Sequence, residues 1–218
     1  MMIATKDWIE ASYNAGRSWL RPLSGLRAHQ EHQSLVPVMV PIRSLGEHHR
    51  QRIEDHLMQL EPQDRYLRFG YAANDEQVRR YAQNLNFVRD EIFGIFNRRL
   101  ELVAMAHVAY SDQPGTNQCA EFGVSVLKKA RGRGYGARLF DRAVMHARNE
   151  GVHMLFIHAL SENTAMLKIA RNAGATVERD GSESEAHLQL PPANLDSRMA
   201  QLVEQQFAEM DYSLKKQA

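Results

Sequence analysis

The sequence predicts an α/β (α+β) fold, a single domain whose central sheet of six to seven strands is flanked by helices. Three observations predict it. Short apolar runs alternate with segments whose apolar residues recur at helical spacing. Two pairs of runs are joined by turn sequences, Asn97-Arg98-Arg99 and Asp180-Gly181, which places hairpins in the sheet. One stretch, Ala120 to Arg148, joins a strand to a helix through a glycine-rich turn.

The chain has 218 residues, enough for a substantial core. Its apolar and charged fractions, 44% and 24%, are those of a soluble globular protein. A formal net charge of +1 gives no whole-protein field for nucleic acid or an anionic membrane. No apolar run is long enough to span a bilayer, and the N-terminus lacks a secretory apolar segment. The single cysteine, Cys119, rules out an internal disulfide and fits a cytoplasmic location. A nucleophilic role for Cys119 would require a partnered histidine.

Residues 1–34 read as an N-terminal extension. Trp19, Leu20, Leu23 and Leu26 stand among Arg17, Arg21 and Arg27, and Gly16, Pro22 and Gly25 interrupt any long helix. His29 and His32 share a helical face, but two ligands without a third make no metal site, and none is expected. The domain is expected over residues 35–191. Leu35 to Ile42 reads as the first strand, with Pro37 and Pro41 placing it at an edge. Glu47 to Leu60 reads as a helix ended by Pro62. Asp64 to Phe69 alternates aromatic and basic residues, as a loop or short helix pinned by Tyr66, Leu67 and Phe69, or as the wall of a substrate cleft. Asp75 can cap a second helix with Val78, Tyr81, Ala82 and Leu85 inward.

Glu91 to Phe96 and Leu100 to Tyr110 form the first hairpin. Leu100, Leu102, Ala104, Ala106 and Val108 fall on one face of its second strand. His107 falls on the other and reads as a hydrogen-bonded structural histidine rather than a catalytic one. Glu121 to Leu127 is a buried strand. Val152 to Leu160 is another, and Ser161 or Asn163 can cap the helix after it. Thr176 to Arg179 and Glu185 to Leu190 make the second hairpin. Beyond Pro191-Pro192, residues 192–218 are expected as a C-terminal helix with Met199, Leu202, Val203 and Phe207 as its apolar stripe.

The chemistry is expected at Arg131-Gly132-Arg133-Gly134-Tyr135-Gly136. Glycines at every second position let the backbone approach a ligand closely, and their amides, with those of the following helix, form a nest for an anion. Arg131, Arg133 and Arg138 oppose the helix dipole there, so helix stability does not explain them; a bound phosphate does. A dinucleotide-binding turn shares the minimal glycine spacing. It should follow its strand directly, however, and Lys128 to Arg131 intervene. The nearest ribose-binding acid, Glu162, also lies about 30 residues on rather than about 20.

Taken together, the elements run strand, two helices, three strands, glycine turn, helix, strand, helix, two strands. That order resembles the GNAT superfamily of N-acetyltransferases, and Arg131 to Gly136 matches its acyl-CoA signature, Gln/Arg-x-x-Gly-x-Gly/Ala. Asn163, eleven residues before Gly174-Ala175, matches an asparagine the family often carries. The wording at 65–69, 120–126 and 161–167 is similar to bacterial protein-lysine acetyltransferase domains.

The resemblance implies a mixed, mostly antiparallel sheet splayed at the fourth and fifth strands, and acetyl-CoA as co-substrate without a metal. It implies an amine acceptor, either a protein lysine or a small molecule. The amides of Arg131 to Gly136 would hold the diphosphate, Val124, Val126 and Asn163 the pantetheine arm, and Glu121 would be the base. Many members carry a tyrosine acid seven residues after the asparagine; here that position is Ala170. An acyl-CoA-binding or partner-binding module of the same fold is the alternative. The terminal segments are the candidates for a homo-dimer contact.

Overall fold

The computed structural model describes residues 40–111 and 119–217. A seven-stranded sheet runs in the order β1-β2-β3-β4-β5-β7-β6. Its strands are β1 (Arg43–Ser44), β2 (Glu91–Phe96), β3 (Leu102–Tyr110), β4 (Cys119–Val126), β5 (Met154–Leu160), β6 (Thr176–Asp180) and β7 (Glu183–Gln189). The helices are α1 (Arg50–Met58), α2 (Pro62–Phe69), α3 (Asp75–Gln83), α4 (Tyr135–Asn149), α5 (Thr164–Asn172) and α6 (Leu195–Gln217). Every neighbouring pair is antiparallel except β4 and β5, which are parallel.

Each side of the sheet carries its own core. Phe122, Leu139, Phe140, Leu155, Ile157 and Ala170 pack where α4 and α5 cover it. Ile53, Leu57, Val78, Ile92 and Met105 pack where α1 and α3 cover the other. β2 and β3 are buried on both faces, so they read as unbroken apolar runs.

Several elements differ from expectation for local reasons. The first strand is Arg43–Ser44, after Pro41, because proline has no N–H for the ladder; residues 35–39 of the expected strand lie outside the described residues. Pro62 opens a helix rather than closing one. It occupies the first turn of α2, and Gly70 ends that helix at φ 79°. Three helices therefore separate β1 from β2, not two. Asn74, not Asp75, caps α3, in a reciprocal box with Gln77. Leu100 is outside β3: it sits at φ 58° in a turn whose Arg99 and Glu101 amides donate to Asn97 Oδ1. A bulge opposite Ile95 and Phe96 then places Leu102 in the core of Met105, away from Ala104, Ala106 and Val108.

α6 falls within the expected C-terminal helix and is capped by Asn194, whose Oδ1 accepts from the Ser197 amide at 2.8 Å. It grips the domain by polar contacts, including Asn149 to Gln201 at 2.7 Å and Arg52 to Tyr212 at 3.2 Å. The expected stripe of Met199, Leu202, Val203 and Phe207 faces solvent.

Candidate active site

The cleft originates in the sheet itself. β4 pairs with β5 at only three positions, the last being Glu121 with Phe156, and from Phe122 onward the two strands part. β3 continues to pair with β4 as far as Val126, so β4 stays straight while its β5 edge is uncovered. The opening is a cleft of about 1420 Å³, lined by α2, β4, the glycine turn, the ends of β5 and β7, and α5.

The glycine turn closes the far end of β4. Gly134 is the N-cap of α4 at φ 73°, and no side chain caps that helix. The first turn of α4 also holds no acidic residue, so its amides are available to a ligand anion. Open space surrounds Gly132 and Gly134. Gly136 serves packing: a Cβ there would stand 3.3 Å from Ile169 Cδ1 on α5. Tyr135 is half-buried against the α4 core. These residues fit a diphosphate, which needs convergent N–H donors and room for a bulky anion.

The arginines divide. Arg131 lines the cleft and is ion-paired with Asp64 of α2, and its Nε donates to the Val126 carbonyl at 3.4 Å. Arg133 is exposed and is not part of the lining. Val124 and Val126 lie on the uncovered stretch of β4, their side chains partly buried against the α4 core. Asn163 faces them from the start of α5. Its Oδ1 accepts from the Met166 amide at 3.2 Å, and its Nδ2 donates to the Leu67 carbonyl at 3.4 Å. Ala170 is fully buried between α5 and the sheet, so this position points into the core rather than the cleft.

Glu121 is exposed at the fork of the two strands. On its face of β4 follow Gly123 and Ser125. Ser125 Oγ donates to His56 Nε2 at 2.8 Å, because His56 Nδ1 gives its proton to the Leu102 carbonyl at 2.9 Å. Burial holds His56 down at about 4, so it is neutral.

Beside this pair lies a cluster that sequence spacing does not assemble. Arg68 Nη2 donates to Tyr81 Oη at 2.8 Å, Tyr81 Oη lies 2.8 Å from His107 Nδ1, and His107 Nε2 lies 3.0 Å from Asp90 Oδ2. Arg68, Tyr81 and Glu121 all line the cleft. Burial pushes the Tyr81 hydroxyl up, and Arg68 pulls it back. Burial would also raise Asp90, but donors from His107, Arg89 and the Tyr110 amide outweigh it and hold the carboxyl well below its ordinary value. The alternating aromatic and basic residues of 65–69 were the one sequence signal for this wall.

A mostly antiparallel sheet that forks at a parallel pair, with an uncapped helix start at the far end of the uncovered strand, fits the class of acyl-CoA-dependent acyltransferases. Residues 53–175 match the family model described as Acetyltransferase (GNAT) family. The chain belongs to that family and is an acetyl-CoA-dependent acetyltransferase. Solved structures share its fold. The GNAT domain of S. lividans PAT superposes with a TM-score of 0.59 at 20% identity, over 70% of this chain and 95% of that one. Spermidine N-acetyltransferase from Vibrio cholerae, in complex with CoA and spermine, gives 0.55 at 13% identity, over 69% and 95%. RimL, a ribosomal L7/L12 alpha-N-protein acetyltransferase in complex with CoA, gives 0.53 at 17% identity, over 71% and 96%. No curated protein matches the chain in sequence.

Among the described residues, no helix is long and apolar enough to cross a membrane. Nor does any group of three or more His, Cys, Asp or Glu among them have the arrangement to hold a metal ion.

Proposed function

We propose that the chain acetylates a primary amine, a protein lysine or a small cationic amine, by direct attack on acetyl-CoA bound in the fork. The observation that carries this reading is the end of β4–β5 pairing at Glu121, with the glycine turn at the far end of the uncovered strand. In this reading the Gly132 to Gly136 amides and the α4 start hold the diphosphate. Arg131 adds charge near it, as does Arg133 from outside the cleft lining. The uncovered β4 backbone near Val124 and Val126 holds the pantetheine arm, with Asn163 on the opposite wall. One β4 amide polarises the thioester carbonyl, a donor of the kind that stabilises an oxyanion by roughly 3–4 kcal/mol.

Glu121 takes the proton of the acceptor ammonium, a role its exposure at the fork suits. The charge of the mouth supports a cationic acceptor. Glu178 stands directly opposite Glu185, and Asp180 opposite Glu183, and all four line the cleft. Like charges across a ladder cost stability, so a cation passing there relieves an existing repulsion. A spermidine N-acetyltransferase and RimL, a ribosomal L7/L12 alpha-N-protein acetyltransferase, share this fold, which supports keeping both small amines and protein amines as acceptors.

Residues 35–191 would be the catalytic unit, with the extension and α6 as additions. Seven large apolar side chains of α6 are exposed, which supports self-association, tested by sedimentation across a concentration range. We also propose a cytoplasmic location, which acetyl-CoA as co-substrate and the thiol of Cys119 support.

The test is release of CoA from acetyl-CoA with lysine peptides and a panel of small amines. Turnover with at least one acceptor is expected. Tight acetyl-CoA binding without turnover would favour the binding-module reading, which the buried Ala170 at the usual acid position motivates.

A further inference from the structure

Ala170 leaves the cleft without a proton donor at the family's usual place, yet the departing thiolate and the attacking nitrogen both need proton transfer. The ends of the Arg68–Tyr81–His107–Asp90 chain, with a single proton on the His107 ring, give it a direction. A guanidinium only donates, so Tyr81 Oη accepts from Arg68. An ionised carboxylate only accepts, so His107 Nε2 carries the ring proton toward Asp90. With that one proton on Nε2, Nδ1 is bare and the phenolic proton of Tyr81 points to it. The second lone pair of Tyr81 Oη is left for the cleft that Tyr81 lines beside Glu121. Asp90 is buried, and Arg89 and the Tyr110 amide hold its carboxylate in place.

We propose that Tyr81, His107 and Asp90 form a proton relay for acetyl transfer, with Arg68 holding the phenolic oxygen. Tyr81 is the catalytic residue; His107 and Asp90 act through it. The proposal rests on the transferase reading above.

The protons balance as follows. Glu121 takes one proton from the acceptor ammonium and releases it to solvent. As the amine nitrogen bonds to the thioester carbon, its next proton passes to Tyr81 Oη, and the Tyr81 proton passes to His107 Nδ1. His107 is then an imidazolium facing the Asp90 carboxylate, the arrangement that stabilises the histidine of a serine-protease triad. When the carbon–sulfur bond breaks, its electron pair stays on sulfur. His107 returns its proton to Tyr81, and Tyr81 gives one to the sulfur. The sum is ammonium plus thioester giving amide, thiol and one proton, with the relay restored.

Two measurements test it. In the wild-type protein, ¹⁵N NMR of the His107 ring is expected to show the neutral Nε2–H tautomer; the Nδ1–H tautomer would overturn the relay. Kinetics then compare wild type with Tyr81→Phe and His107→Gln, using acetyl-CoA with spermidine and a lysine-rich peptide. Phenylalanine keeps the packed ring. Glutamine keeps an acceptor for the Tyr81 hydroxyl but takes no proton.

Both variants are expected to lose about 100-fold in kcat. The acetyl-CoA Kd by calorimetry should stay within about threefold, and each variant should melt as a folded protein. Wild-type turnover with either variant within about threefold of it would overturn the relay and leave the transferase reading standing. Acetyl-CoA binding without wild-type turnover on either acceptor would remove the transferase reading, and the relay with it.

Discussion

Gly123 lies directly beneath the guanidinium of Arg68: a Cβ built on it would stand 2.7 Å from Arg68 Cζ. Across the ladder, Gly123 is the register partner of His107. The bare Cα on β4 is therefore what lets an arginine from α2 reach over the strand to Tyr81. Glycine in a strand interior is otherwise a cost, and here it marks a close approach.

Gly123→Ala follows from that contact. The obstructing atoms are the end of a flexible side chain, so Arg68 can swing away, and the loss of stability should stay below about 1 kcal/mol. The hydrogen bond to Tyr81 should go with it. Expected is a kcat lowered about tenfold with a nearly unchanged melting temperature, read by CoA release and calorimetry. Full activity in the alanine variant would show that Tyr81 works without Arg68.

Glu121→Gln separates binding from chemistry. The amide is isosteric and keeps the fork intact, but takes no proton at neutral pH. Turnover should fall about 100-fold, within the range for a positioned base. Acetyl-CoA affinity should change less than about twofold, because Glu121 lies at the opposite end of the uncovered strand from the glycine turn. Equal turnover in the variant would remove Glu121 as the base.

Two glycine substitutions should fail in opposite ways. Gly134→Val puts a β-branched residue at φ 73° at the mouth of the α4 start, with strain of about 1–3 kcal/mol and a side chain in the space proposed for the diphosphate. Titration calorimetry should show acetyl-CoA binding abolished in a protein that still melts cooperatively. Gly94→Ala instead places a Cβ 2.6 Å from Leu102 Cδ1 and 2.8 Å from Leu45 Cδ1 in the α1 core. It should lower stability by about 1–3 kcal/mol and leave binding of the surviving folded protein unchanged. Loss of binding in both, or in neither, would break the assignment of the turn.

What was legible in the sequence tracks how local each cause is. The glycine turn, α4 and the Asn163 cap each arise within a few residues, and periodicity or backbone chemistry announces them. The first strand was misplaced because an apolar run resembles a strand even where Pro41 withholds the N–H that pairing needs. The α6 stripe is legible as periodicity, but its exposure is not, because apolar residues at helical spacing normally face a core; here Ser197, Gln201 and Tyr212 make the contacts instead. The Arg68–Tyr81–His107–Asp90 chain joins residues from α2, α3, β3 and the segment before β2. Their separations in sequence carry no period, and only the folded sheet brings them together.

Acid should weaken the fold earlier than its carboxylates alone would. His49 and His56 are buried and His146 is half-buried, and burial holds all three down from 6.5 to about 4. Above pH 6.5 neither the folded nor the unfolded chain protonates them, and their contribution is fully present. Between pH 6.5 and about 4 the unfolded chain binds protons that the folded chain refuses, so stability falls as pH falls. The urea midpoint should therefore drop steadily from pH 7 to pH 4.5. His56→Gln removes one of these three protons while keeping a partner for Ser125, so its midpoint should fall less steeply over the same range. A wild-type midpoint that is flat across that interval would mean that these rings accept protons in the folded protein as readily as in the unfolded chain.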